Sequence, residues 1–401
     1  MPRPVLILAL LAWLACPARA VFLKSQMERI DHEPLFDSEY FLDLLSFSYP
    51  ASWEEDWKAS TGPAYRINGA SLDCCDLLLQ QELKFRKSLS EGLSFRFRLV
   101  QQEDKDRQDL HHWLELDQRL GMGFSAQAFG EPAFRKEDAD IGFGLAWQGG
   151  GLRAGARRNF VDFNFNERGS TNQRYSLKPQ TDELSLEFAP GEHRLEASLE
   201  LDHPLRREVP AENRVFSFRR TTLSLGWRQA PAGGWARSLR YGYEFQKKGD
   251  LFNPDPSIAS LESRRQVHRL LASAEGSLGP RDRLEAGGLF LSRAARADNA
   301  HDSSAGFFHR RWELEPYARW RRKARDWLET ELAGFLALGE NRQRSASGGP
   351  SLYEGVVEAK LGAGLEFLFG ASGRIGLYGN FDLDRPDKTW DGGSVRALFL
   401  F

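Results

Sequence analysis

From residue 77 to the end of the chain the dominant period is two. Leu93, Phe95, Phe97 and Leu99 alternate with Ser94, Arg96 and Arg98; Ile141, Phe143, Leu145 and Trp147 alternate with Gly142, Gly144 and Ala146. The same pattern runs through 195–201, 239–245 and 357–365. Side chains of an extended strand point alternately to its two faces, so each segment predicts a strand with one apolar and one polar face. About seventeen such segments follow one another, each near the nine to eleven residues that a tilted membrane strand needs.

The connections alternate as well. Short ones fall at 88–92, 121–123, 149–151, 189–192, 230–234, 279–282, 321–326 and 370–373. Longer polar ones fall between them, at 101–109, 130–138, 164–180, 202–214, 247–263, 294–306, 339–352 and 384–393. A soluble sandwich has no reason to keep that order. A transmembrane barrel does, with tight periplasmic turns and longer outer loops. The prediction is an all-β chain folded as a transmembrane antiparallel up-and-down β-barrel. If short turns are periplasmic, the segment 77–86 and the last strand both descend, and one earlier ascending strand is required. Either 39–49 or 65–72 supplies it, giving about eighteen strands, with sixteen as the alternative. Trp147, Trp227, Trp235, Trp320 and Trp327 all flank short turns. They read as membrane-interface aromatics at one common height, as does Phe401 at the chain end.

Composition is compatible with this. Mean hydropathy is -0.49 and 27% of residues are charged, which a barrel tolerates because only alternate residues meet lipid. A net charge of -2 argues against a nucleic-acid partner. The start of the chain sets the compartment: Arg3, an apolar run from Val5 to Cys16, then Ala18-Arg19-Ala20, the pattern of a cleaved signal peptide. The expected organisation is residues 1–20 as signal peptide, 21–38 as a periplasmic or lumen-entering segment, and 39–401 as the barrel. Leu14-Ala15-Cys16 offers a weaker rival, a lipoprotein signal with Trp13 where Leu is usual. After cleavage only Cys74 and Cys75 remain; adjacent cysteines cannot staple distant segments. There is no Cys-x-x-Cys, so no metal site and no haem or other cofactor is expected.

The final strand, Ser394 to Phe401, carries Val395, Ala397, Phe399 and Phe401 on one face. In this it resembles the outer-membrane β-barrel proteins of Gram-negative bacteria, whose last strand commonly ends in phenylalanine and is read by the barrel-assembly machinery. The resemblance covers residues 77–401 at the level of pattern, and the Pro-Glu-Phe-Gly-Gly motif of general porins is absent. It implies an integral protein of the bacterial outer membrane, with outer-membrane lipids and, during biogenesis, the assembly machinery as partners.

In such a barrel the polar faces point inward. The expected lumen set is Arg96, Arg98, Arg153, Arg157, Arg228, Arg240, Arg319 and Arg396, opposed by Glu196, Glu200, Glu313, Glu315 and Glu358. Arginine outnumbers lysine 42 to 12, which favours fixed, forked pairing. These charges read first as cross-strand ion pairs that stiffen the wall and second as a selectivity constriction. The function expected is a porin-like channel for small hydrophilic solutes or ions. Two alternatives stand beside it: a scaffold sheathing a partner protein in the lumen, such as a multihaem cytochrome in an extracellular electron conduit, and an outer-membrane hydrolase. No phosphate loop, zinc-protease motif or nucleophile elbow occurs, and alternation puts His268 and Ser273 on opposite faces, so the chain is expected not to be an enzyme. Asp104, Asp106 and Asp109, like Asp382, Asp384 and Asp387, read as solvated loop acids, and His111 and His112 as interfacial histidines.

Overall fold

Backbone donors and acceptors cannot be left open in hydrocarbon, so a strand with a lipid-facing side must be hydrogen-bonded along both edges, and the sheet must close. That is the architecture found. The structure, a computed structural model, describes residues 51–72, 76–103, 108–132, 139–163, 173–232, 234–252, 261–299, 306–345, 352–370, 372–383 and 390–401. The signal-peptide region, the 21–38 segment, the rival strand at 39–49, Cys74 and Cys75, and Asp104, Asp106, Asp384 and Asp387 lie outside the described residues.

A short helix, α1 (Ala51–Ala59), precedes β1 (Ala64–Leu72), β2 (Asp76–Ser88), β3 (Leu93–Glu103), β4 (Gln108–Gly121), β5 (Phe124–Gly130), β6 (Ile141–Gly149) and β7 (Leu152–Phe160). Next come β8 (Arg174–Leu177), β9 (Gln180–Phe188), β10 (His193–Val209), β11 (Arg214–Ala232), β12 (Trp235–Phe252) and β13 (Leu261–Ser277). The wall finishes with β14 (Asp282–Asn299), β15 (Phe307–Arg325), β16 (Leu328–Ser345), β17 (Leu352–Leu368), β18 (Gly373–Asp382) and β19 (Trp390–Leu400). Every pairing is antiparallel between neighbours, and β1 closes on β19 from Ala64 opposite Leu400 to Leu72 opposite Gly392. β8 and β9 both pair with β10 and share one place in the wall, so the barrel has eighteen strand positions. Tyr65–Leu72 therefore lies in the ascending strand that the turn order required.

The outward face is apolar and exposed at Leu145, Leu186, Leu239, Leu314, Leu365 and Leu377, as a lipid-facing band must be. The inward face of β13 to β19 buries charged and aromatic side chains together, around a small apolar cluster of Tyr317, Ala333, Phe335 and Ala337.

Two expectations need correction. Strands are not uniformly nine to eleven residues: β10 to β17 run for 17 to 19. Much of the sequence assigned to loops at 202–214, 247–263, 294–306 and 339–352 is strand that continues past the lipid band. There the outward face leaves the lipid and turns polar, although Leu205, Val209, Ala295 and Ala297 stay buried on the inward one, so the exposed apolar alternation stops while the hydrogen-bond ladder does not. The second correction is α1, which period-two reading passed over.

Candidate functional site: the barrel lumen

The registers place every predicted lumen residue on the inward face. Arg96 lies opposite Glu115, and Arg98 opposite Trp113. Arg153 and Arg157 lie opposite Glu187 and Glu183. Arg240 faces Gly226, itself opposite Glu196, and Arg228 faces Ser238. Arg319 lies opposite Glu285, Glu358 opposite Ala337, and Arg396 opposite Asn68. The five tryptophans and Phe401 take the outward face or the short-turn rim. Trp147 lies opposite Phe124, Trp227 opposite Leu239 and Trp320 opposite Leu284. Trp235 lies opposite Gly276, Trp327 stacks on Phe367, and Phe401 stacks on Phe399.

The inward charges do not meet at a single ring. They divide into a sealed wall and an open side. In the wall, Arg319, Arg396, Glu313 and Glu315 are fully buried. Arg319 lies 5.5 Å from the Tyr317 and Phe335 rings, and Arg396 lies 3.9 Å from the Tyr378 ring. The centre of this wall is Arg321, which lies in β15 and not in the short turn that the sequence predicts at 321–326. Its guanidinium reaches Glu285 at 3.0 Å, Glu275 at 3.4 Å and Glu331 at 3.9 Å, while the Tyr317 hydroxyl also donates to Glu285 at 3.0 Å. A carboxylate removed from water needs such forked, charge-assisted donors.

The open side is a cavity of 1360 Å³ bordered by β2 to β7 and β9 to β11. Arg96, Arg98, Arg153, Arg157 and Glu200 line it; Glu196, Arg228 and Arg240 do not. Glu115 is held between Arg96 at 3.1 Å and Arg157 at 2.9 Å, and Arg220 bridges Glu200 at 2.9 Å and Asp202 at 2.8 Å. His111 and His112 split, as neighbours in a strand must: His111 faces inward, 3.0 Å from Glu131. His268 contacts the Tyr241 hydroxyl at 2.9 Å on the outward face, and Ser273 contacts Ser238 at 2.7 Å on the inward one. Among the described residues no group of three His, Cys, Asp or Glu side chains is arranged to hold a metal.

Helix α1 forms the floor. Trp53 and Trp57, four apart and so on one face, are buried against Ala64 and Leu398 of the inner wall. Glu54 pairs with Arg66 at 2.8 Å, Asp56 pairs with Arg374, Lys84 donates to the Trp57 carbonyl, and the Trp53 indole donates to Glu366 at 3.1 Å. The helix thus sits inside the barrel at its short-turn end. The main cavity reaches Lys58, Ser60 and Thr61, and a second cavity of 420 Å³ lies beyond Asp56, walled by Arg283, Arg321, Glu329 and Glu366.

No family model and no curated protein matches the chain. Solved structures similar to it include OmpT, an outer membrane protein of Vibrio cholerae, at 9% identity and a TM-score of 0.40, covering 84% of this chain and 96% of that one. A mutant of the Rh. blastica porin matches at 8% identity and a TM-score of 0.33, covering 84% and 98%. A bacterial polysaccharide outer membrane secretin matches at 12% and 0.38, covering 86% and 99%. The expectation that the chain is not an enzyme is corrected here. Its structural neighbours, OmpT among them, are alike in barrel only and at 9% identity, which gives no ground for excluding catalysis. The class is set by the fold itself: the chain is a closed eighteen-strand antiparallel β-barrel of the outer-membrane kind. Its lipid-exposed apolar belt and closed wall point to a bacterial outer membrane.

Proposed function

We propose that the chain is a channel for small hydrophilic ions, entered past α1 and preferring anions. The observation that carries this reading is the charge of the main cavity's lining. Nine basic side chains, Arg96, Arg98, Arg153 and Arg157 among them, stand against six acidic ones, a surplus of three. In a narrow, low-dielectric passage an excess of one sign raises the local concentration of the opposite ion. Glu115, Glu200 and Asp202 are tied to arginines, whereas Lys58, Arg119 and Arg153 have no counter-ion among the described residues. The free positive charge therefore gathers toward the short-turn end.

The test is single-channel recording of the refolded protein in a planar bilayer under a potassium chloride gradient. Discrete openings with a reversal potential on the chloride side support the proposal. A cation-side potential overturns the preference. Silence from protein already shown to be folded overturns the channel itself and moves weight to a barrel plugged for a partner.

A further inference from the structure

The outward face above the lipid band carries a feature the channel reading does not use. Arg219 of β11 lies directly opposite Lys247 of β12, Lys247 opposite Arg264 of β13, and Arg264 opposite Arg296 of β14. Four basic residues thus stand in one cross-strand row. Like charges directly opposite one another destabilise a sheet, so the row calls for anions. The protein supplies few: Glu262 is 3.9 Å from Lys247, Asp298 is 2.9 Å from Arg296, and Glu340 pairs with Arg342. The row continues through Phe308 of β15 to Arg344 of β16, and Arg310 and Arg342 stand opposite each other two residues nearer the lipid band, giving seven basic against three acidic outward side chains in this patch, a surplus of four. Arg264, Arg310 and Arg344 are exposed and have no counter-ion among the described residues.

Height decides what those anions are. Four residues nearer the short turns than Lys247, Arg264, Arg296 and Phe308, strands β12 to β15 present Tyr243, His268, Ser292 and Trp312 in one row, two residues from Arg310. At roughly 3.3 Å per residue that is about 13 Å along the strands. The Tyr243 and Trp312 rings in that row mark the lipid–water boundary, and Leu270, Phe290 and Leu314 continue below it as exposed apolar surface. The basic row therefore stands at headgroup height on the long-loop side, which in a barrel of this class is the outer leaflet.

We infer that this row is a docking surface for phosphorylated lipid headgroups of the outer leaflet. The arginine forks bind the phosphates, and the acyl chains lie on the apolar band beneath. Arginine suits the task because its planar fork matches phosphate oxygens two at a time. The inference needs the barrel to lie in the membrane but is independent of whether it conducts.

Native mass spectrometry of the detergent-refolded full chain, titrated with diphosphorylated lipid A, tests it. The wild type should retain the lipid, and retention should fall as salt rises. The triple change Arg264→Gln, Arg310→Gln and Arg344→Gln should weaken binding by about a hundredfold, each basic group near a charged surface being worth about 1 kcal/mol. The corresponding change of all three to Lys should keep most of the affinity. Equal retention by the glutamine variant, or of dephosphorylated lipid A by the wild type, overturns the inference. Displacement of the lipid by inorganic phosphate at matched concentration also overturns it, since the site would then be one for a free anion. Should the glutamine variant fail to fold, the salt series and the dephosphorylated lipid decide on the wild type alone.

Discussion

The indole nitrogen of Trp53 donates to the Glu366 carboxylate at 3.1 Å, joining α1 to β17 across 313 residues of sequence. Arg374 lies 5.3 Å from the Trp53 ring and pairs with Asp56 of the same helix. The helix is thereby fastened to β17, β18, β19, β1 and β2 at the short-turn end of the lumen, and its release has a defined direction. Trp53→Ala together with Trp57→Ala removes two buried aromatics, each worth about 3–5 kcal/mol in a packed site. Unitary conductance should rise and brief closures become more frequent, with anion preference retained. Unchanged conductance in bilayer recordings would show that the helix does not lie in the ion path.

Selectivity should follow the cavity lining rather than the sealed wall. Arg96 and Arg157 both hold Glu115. Changing both to Gln reduces the positive surplus from three to one and also leaves Glu115 without its partners. The reversal potential in a salt gradient should move toward the cation side. Glu115→Gln alone should move it the other way. Arg319→Gln, which does not line the cavity, should leave it where it was, and a shift as large as that of the Arg96 and Arg157 change would discredit the division into open side and wall.

How far the sequence foretold this arrangement depended on what each residue touches. Segments such as 141–149, 195–201 and 357–365 meet lipid on one face and the lumen on the other, so alternation is enforced and both strand and facing could be read directly. Arg96, Arg157 and Glu313 were placed on the inward face by parity alone. Past the lipid band the rule fails: at Lys247 and Glu262 the outward face meets water instead of lipid, nothing there enforces an apolar position, and the sequence predicts loop where the strand runs on. The division of the inward charges into wall and cavity was invisible as well, because it depends on which strands face each other across the lumen. Helix α1 was legible in principle, since Trp53 and Trp57 are four apart beside Glu54 and Asp56, but the signal is only nine residues long.

The sealed wall should be the stability centre. Arg321 is almost fully buried and touches Glu275, Glu285 and Glu331. Arg321→Met takes the guanidinium from three carboxylates, of which Glu285 keeps the Tyr317 hydroxyl, and removing one member of a buried charge network typically costs about 3–5 kcal/mol. The variant should lose its folded, fast-migrating form on unheated gels at a lower temperature than the wild type. Arg321→Lys keeps the charge without the fork and should fall between the two. A wild-type melting profile for the Met variant would mean that water replaces the guanidinium.

The barrel's seam leaves no room for a side chain at one glycine beside it. The Phe401 amide donates to the Pro63 carbonyl at 2.8 Å, just beyond the last rungs of the pairing between β1 and β19. A Cβ on Gly62 would fall against a backbone oxygen of Phe401. Gly62→Val must therefore displace either the chain end or the link from α1 into β1. Forced overpacking of this kind costs about 1–3 kcal/mol, and here it acts where the first and last strands meet. Refolding into detergent should give a smaller yield of the heat-modifiable form, with the deficit concentrated in exchange of the amides of Ile67 and Ala397, which pair across the seam. Protection of those two amides equal to the wild type would show that the chain end yields without cost. The same variant should leave the buried pairs around Arg321 intact, because β14 to β16 zip through their own long registers and do not depend on where the wall closes.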